Sequence, residues 1–147
     1  MEFELISFED TKSLIHEILD DIPPKDYNLT PNEIFFLLEE AGKIIESKRI
    51  PYWEDFETGN KDFSTEEILA QIKINLETEE AVIIISDECF KEQKAYKVSG
   101  EKLVEFAETM YPSLHDMDLI QPLDLIFIQP SDKTISMIHH EGLIIEY

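Results

Sequence analysis

The residues best suited to chemistry are a run of two histidines and a glutamate, His139, His140 and Glu141. Imidazole and carboxylate groups are ordinary ligands of zinc-like metals. Neighbouring side chains of a strand point to opposite faces, so His139 and Glu141 could share a metal more easily than His139 and His140. His115, Asp116 and Asp118 could complete such a site only if their loop folds beside that strand. A metal-dependent hydrolase using these residues is therefore one hypothesis, and a hydrogen-bonded histidine pair at a strand end is the alternative that the sequence favours.

A second candidate for chemistry is the single cysteine, Cys89, which follows a predicted buried strand. Asp87 and Glu88 precede it, and acidic neighbours raise the pKa of a thiol. We therefore expect an unreactive thiol rather than a catalytic pair with His139 or His115. The four glycines build no phosphate-binding loop. We predict that the protein is not an enzyme and that it has no catalytic residue, no metal and no cofactor.

The net charge narrows the range of partners. The chain has 147 residues with 33 acidic and 12 basic side chains, a formal charge of −21, and its only arginine is Arg49. Phosphate recognition needs clustered lysine and arginine, which argues against binding to nucleic acid or to an anionic membrane. At 43% hydrophobic residues the chain can form a core, and residues 1–147 are predicted to be a single domain. Self-repulsion favours a monomer before a cationic partner binds.

The acidic residues are concentrated beside aromatic ones. Residues 54–88 contain eleven acidic side chains against two lysines, and Tyr52 and Trp53 lie at the start of this window. Aromatic anchors flanked by carboxylates suit a surface that binds a basic protein. The alternative is a solvated acidic face whose aromatic residues belong to the core. The predicted partner-binding residues are Tyr52, Trp53, Glu54, Asp55, Glu57, Asp62, Glu66, Glu67, Glu79, Glu80, Asp87 and Glu88.

The elements that must position these residues are helices first and strands later. Apolar spacing and capping residues predict helices over 8–19, 31–47, 65–76 and 100–110, with Pro23–Pro24 ending the first of them. Runs rich in β-branched residues predict strands, and these are 2–6, 81–86, 94–98, 124–128, 134–139 and 143–147. The predicted class is α+β, with N-terminal helices packed on a mainly antiparallel sheet that ends in a C-terminal three-strand meander.

The closing segments are Met117-Asp118-Leu119-Ile120-Gln121-Pro122, Asp124-Leu125-Ile126-Phe127 and His139-His140-Glu141-Gly142. Together with the size, the acidity and the order of elements, they give the chain a character that resembles the small acidic immunity proteins that bacteria encode beside polymorphic or contact-dependent toxins. The resemblance implies a cognate basic toxin, with a nuclease as the leading candidate. Immunity proteins neutralise such toxins by binding, without chemistry of their own.

Two expectations complete the sequence-based picture. The segment 1–5 lacks the basic start and the apolar run of a signal peptide, and a single cysteine excludes an internal disulfide. Together they favour a cytoplasmic protein. A non-catalytic regulatory domain with an unknown partner is the remaining alternative function.

Overall fold

The computed structural model describes residues 3–20, 27–40, 42–43 and 46–147. Seven strands in these ranges form one antiparallel sheet in the order β1-β4-β3-β5-β6-β7-β2. They are β1 (Glu4–Ser7), β2 (Glu46–Arg49), β3 (Ala81–Ile85), β4 (Lys94–Ser99), β5 (Leu125–Gln129), β6 (Thr134–Ile138) and β7 (Leu143–Glu146). The α+β class and the C-terminal meander β5-β6-β7 are confirmed.

The centre of the sheet is covered on both faces. Val82, Ile83 and Ile84 of β3 are consecutive and fully buried, and all five residues of β5 are buried. Side chains of a strand alternate between the two faces, so consecutive burial means that both faces are packed. The continuous β-branched run at 82–85 therefore predicts the central position of β3.

Six α-helices accompany the sheet in the described ranges. They are α1 (Phe8–Leu19), α2 (Pro31–Glu40), α3 (Trp53–Glu57), α4 (Thr65–Leu69), α5 (Leu103–Glu105) and α6 (Tyr111–His115). The start of α1 is as predicted, since the Ser7 hydroxyl accepts a hydrogen bond from the Asp10 amide at 3.0 Å. The stop expected at Pro23–Pro24 lies outside the described residues. No helix in the described ranges has the length and apolar character required to cross a membrane.

The predicted helices over 31–47 and 65–76 are too long. Helix α2 ends at Glu40, and Glu46 and Ser47 instead pair with β7 as part of the edge strand β2. Helix α4 ends at Leu69 because side chains of the sheet bind the backbone that follows. The Glu146 carboxylate accepts the Lys73 amide at 2.7 Å, and the Gln129 side chain accepts the Asn75 amide at 2.8 Å.

The helix predicted over 100–110 is too short. Helical turns continue to His115 through a π-helical turn, Phe106–Met110, that joins α5 to α6. Pro112 was expected to end the helix. It lies instead in the first turn of α6, where proline is tolerated because the amide hydrogen of that position is not needed.

The strand directions define two ends of the sheet. Strands β2, β3 and β6 finish at one end, which we call the His139 end, and β5 and β7 begin there. Register supports this arrangement, because Ile85 pairs with Ile126 and Leu125 pairs with Ile138. Residues that follow β2, β3 and β6, or that precede β5 and β7, are therefore brought together at the His139 end.

Candidate partner-binding groove and histidine turn

The turn between β6 and β7, residues 139–142, is held from several sides and is called the histidine turn below. The Gly142 amide donates to the His139 carbonyl at 2.8 Å, and the His140 amide donates to an Asp124 carboxylate oxygen at 2.8 Å. The indole nitrogen of Trp53 donates to the His140 carbonyl at 2.9 Å. These bonds fix the turn to the residue before β5 and to helix α3.

Trp53 supports this region from inside. It is only 4% exposed, and its ring packs edge-on against Phe56 at 5.1 Å between centroids. Trp53 was predicted to contact a partner, but its burial makes it a scaffold residue. Tyr52 is 69% exposed, so it supplies the aromatic surface at this end of the sheet. The Lys61 ammonium lies 5.7 Å from the centre of the Tyr52 ring.

An open groove of roughly 610 Å³ lies between α3, the end of β2 and the histidine turn. Its lining residues are Arg49, Ile50, Tyr52, Trp53, Glu54, Asp55, Glu57 and Glu141. Four of them carry carboxylates and one carries a guanidinium, which donates to the Glu141 carbonyl oxygen at 3.4 Å. We call this feature the acidic groove. It combines five of the predicted binding residues with Glu141, which the fold brings in from the far end of the sequence.

The other predicted binding residues do not share one surface. Asp87 follows β3 and lies at the His139 end, whereas Glu80 precedes β3 at the opposite end. Six residues of mostly extended chain, 81–86, lie between the two, which corresponds to about 20 Å. Glu79 and Glu88 line two other depressions, one beside β1 and one beside α6. The acidic window in the sequence is therefore split by the central strand.

The acidic residues of α4 differ from one another. Glu66 is exposed, as is Asp62 before the helix. Glu67 forms a capping box, because its carboxylate accepts the Ser64 amide at 3.1 Å while its own amide donates to the Ser64 hydroxyl at 3.1 Å. The hydrogen bonds from Ser64 lower the pKa of the Glu67 carboxyl. Glu67 thus has a structural role that Glu66 lacks at the same helix end.

The histidines of the turn lie close to Asp124. One potential ligand atom from each of Asp124, His139 and His140 lies within 4.8 Å of the others. Nδ1 of His140 is 3.0 Å from Oδ1 of Asp124, and the two imidazole rings are 4.0 Å apart between centroids. The expectation that His139 and His140 face apart is wrong, because β6 ends at Ile138 and side chains of a turn do not alternate.

The ligand set predicted from the sequence is not assembled in the part of the chain that the structure describes. His139 and Glu141 are adjacent, with Nδ1 and a carboxylate oxygen 4.0 Å apart. His115, however, is hydrogen-bonded through Nε2 to the Tyr96 hydroxyl beside α6 and is not part of the histidine cluster. In the observed cluster, the partners of His139 are Asp124 and His140 instead of the predicted His115 and Glu141.

Asp87 borders the histidine cluster. Burial raises the pKa of its carboxyl, and the negative charges of Asp124 and Glu88 raise it further, while His140 lowers it. Asp87 and Asp124 therefore both add negative charge to this part of the His139 end, which favours cations.

Cys89 lies in a separate depression of roughly 320 Å³ that His115 and Tyr96 also line. The thiol is buried, and its sulfur accepts the Ser86 amide at 3.4 Å. Burial raises its pKa, as do the neighbouring acidic residues. This environment agrees with the expectation of an unreactive thiol.

Two buried polar side chains escaped the sequence-based search. Glu146 in β7 is fully buried, and its Oε2 accepts the Ser136 hydroxyl at 2.6 Å as well as the Lys73 amide. Gln129 in β5 accepts the Asn75 amide and donates to the Asn75 carbonyl at 3.0 Å. Both side chains attach the segment after α4 to the sheet, so their role is structural. The only signal in the sequence is a polar residue at the end of an apolar strand.

No protein-family model, no curated protein and no solved structure matches the chain.

Proposed function

We propose that this protein is a non-catalytic inhibitor that binds a basic partner protein through the acidic groove. The observation that carries the proposal is the groove itself, which four residues with carboxylates line together with the exposed Tyr52. A lysine or arginine of a partner can enter a depression of this kind, while an aromatic ring provides the desolvated contact that dominates many interfaces. The sequence resemblance to immunity proteins suggests a bacterial toxin as the partner, and a nuclease has the basic active site that such a groove complements.

The scaffold of the groove favours binding. Helix α3 has five residues and is too short to be stable alone, but Trp53 anchors it in the core and to the histidine turn. A surface that is already ordered loses little conformational entropy when a partner docks. The net charge of −21 adds long-range attraction to a basic partner, which raises association rates by roughly 10- to 1,000-fold at low salt. A cytoplasmic site of action, where an immunity protein protects its own cell, belongs to the same proposal.

The alternative functions have less support. A hydrolase that uses His139, Glu141 and His115 lacks an assembled site, since His115 pairs with Tyr96. A regulatory domain without a basic partner would have no use for the groove, and the experiment below distinguishes it from an inhibitor.

The direct test is coexpression with the product of the adjacent gene, followed by growth and by binding of the purified pair. We expect the protein to restore growth and to bind the partner with an association rate that falls as salt rises. The test variants are Tyr52→Ala and the double reversal Glu54→Lys/Asp55→Lys, all at exposed positions.

The matched control is Glu79→Lys/Glu80→Lys, which makes the same change of net charge at the opposite end of the sheet. We expect the groove variants to lose protection and the control to retain it. Equal losses in both double variants would show that bulk charge acts rather than the groove. Unchanged protection in all variants would refute the proposed binding surface, and no binding to any basic partner would favour the regulatory alternative.

A further inference from the structure

We propose that Asp124, His139 and His140 form a binding site for a divalent transition-metal cation of the zinc class, at the edge of the acidic groove. Two imidazoles and a carboxylate are a ligand set suited to zinc. Their ligand atoms lie within 4.8 Å of one another although the residues are 15 and 16 positions apart in the sequence. The strand directions create this cluster, because Asp124 precedes β5 and the histidines follow β6.

The spacing of one ligand pair already suits a metal. Two tetrahedral ligands at about 2.0 to 2.1 Å from zinc are about 3.3 Å apart. Nδ1 of His140 and Oδ1 of Asp124 are 3.0 Å apart and share a hydrogen bond. On binding, the cation would displace the proton between these two atoms to solvent, the N–O distance would widen by about 0.3 Å, and the imidazole would turn so that its lone pair points at the metal.

Including His139 as the third ligand needs a larger movement of the cluster. Its Nδ1 accepts the Glu141 amide at 3.2 Å, and its side chain is largely covered. The His140 side chain is about half exposed, so it has room to rotate toward His139. The final closure of the site is therefore assigned to His140, with the Glu141 amide released when the Nδ1 lone pair of His139 binds the cation.

The surroundings favour a cation over a simple histidine pair. The Asp124 carboxylate is already oriented, because the His140 amide donates to the same Oδ1 at 2.8 Å. Outer contacts that orient a ligand in this way strengthen metal sites. Asp87 interacts electrostatically with both Asp124 and His140, and Glu141 lies beside His139. The added negative charge raises the local concentration of cations.

The experiment uses the whole protein after treatment with a chelator, and the probe is Zn²⁺ alone. Calorimetric titration at pH 7.5 in excess Mg²⁺ should show one Zn²⁺ per chain, because Mg²⁺ occupies the many exposed carboxylates but does not compete for imidazole. Co²⁺ should give the visible absorption of a site with nitrogen ligands. In nitrogen-detected NMR of the four histidines, the imidazole signals of His139 and His140 should shift while those of His16 and His115 remain.

The variants His140→Ala and Asp124→Asn should each weaken Zn²⁺ binding by more than about 10-fold, which is the smallest loss expected from changing even an outer contact. His115→Ala is the matched control, and it removes a histidine outside the cluster without affecting binding. Asp124→Asn retains an oxygen acceptor for the His140 amide, and Trp53 fluorescence reports whether the turn is intact.

Two results would overturn the site. One is the absence of a stoichiometric Zn²⁺ event in excess Mg²⁺. The other is equal Zn²⁺ affinity in the wild type, His140→Ala and Asp124→Asn, which would assign binding to scattered carboxylates. Neither result depends on a partner protein, so the metal site and the proposed inhibitor function can fail separately.

Discussion

The contact between Gly142 and Trp53 determines how the histidine turn sits on the groove, and Gly142→Ala tests it. Gly142 has a φ of +83°, and an added Cβ would lie 2.7 Å from Cδ1 of Trp53 and closer still to Cγ. Gly59 provides a matched control, since its φ is +82° and an added Cβ would meet open space. Both substitutions place alanine in the left-handed region, but only Gly142→Ala forces atoms into the indole ring.

The expected loss of stability has two contributions, the left-handed backbone and the overpacking against the indole. Left-handed backbone destabilises an alanine by roughly 1 to 2 kcal/mol, and both variants bear this cost. Overpacking adds about 1 to 3 kcal/mol for Gly142→Ala alone. Trp53 has little freedom to move aside, because its indole donates to the His140 carbonyl and its ring packs on Phe56. We therefore expect Gly142→Ala to be less stable than Gly59→Ala by about 1 to 3 kcal/mol.

Urea unfolding provides the measurement. Trp53 is the only tryptophan, so its fluorescence reports directly on this contact, and circular dichroism follows the whole fold. With a slope near 2 kcal/mol per molar urea, the midpoint of Gly142→Ala should lie about 1 M below that of Gly59→Ala. Equal midpoints would show that the indole shifts without cost, and the argument that Trp53 holds the histidine turn rigidly would then be refuted.

Three further predictions concern buried polar groups. Burial raises the pKa of Tyr27 to about 12. Above pH 10 the unfolded chain loses the phenol proton more readily than the folded protein, so the stability that the neutral Tyr27 side chain contributes is complete below pH 10 and is lost as the pH rises toward 12. Urea midpoints between pH 9 and 11 should consequently fall less steeply in Tyr27→Phe than in the wild type. Cys89 should react with a thiol reagent such as dithionitrobenzoate only as fast as the protein unfolds, and rapid reaction of the native protein would contradict its buried environment. Glu146→Ala leaves the Lys73 amide and the Ser136 hydroxyl without their acceptor, so it should lower the free energy of unfolding by at least about 2 kcal/mol. Glu146→Gln keeps an oxygen acceptor and should lose less stability. Hydrogen exchange of the Lys73 amide should accelerate in Glu146→Ala, and an unchanged rate would show that the carboxylate does not hold this segment.

The meander and α1 could be predicted because their signals are local. Strands β5, β6 and β7 are apolar, β-branched runs between turn residues, and Ser7 caps α1 from the adjacent position. Strand β2 has no such signal. Ser47, Lys48 and Arg49 are polar and exposed, and they are extended only because the edge of β7 offers hydrogen-bond partners. The same dependence on distant partners explains the early end of α4.

The candidate site was predictable to a similar degree. The cluster of Tyr52 with Glu54, Asp55 and Glu57 is contiguous in the sequence, and the structure keeps it together in the acidic groove. The burial of Trp53 depends on a partner 87 residues away, the carbonyl of His140, and no local pattern indicates it. The separation of Glu80 from Asp87 could be foreseen only by knowing that a central strand of the sheet, β3, runs between them.

The acidic groove and the histidine turn share one support. The indole of Trp53 lies at the base of α3, which carries the groove, and its nitrogen binds the carbonyl of the residue whose imidazole contacts Asp124. A displacement of the turn must therefore either break this hydrogen bond or move the indole, and moving the indole disturbs its packing on Phe56 in the same helix. Packed groups of this kind tend to switch between discrete arrangements rather than deform continuously. A cation held by Asp124 and His140 would therefore restrain the same turn that the indole of Trp53 ties to α3.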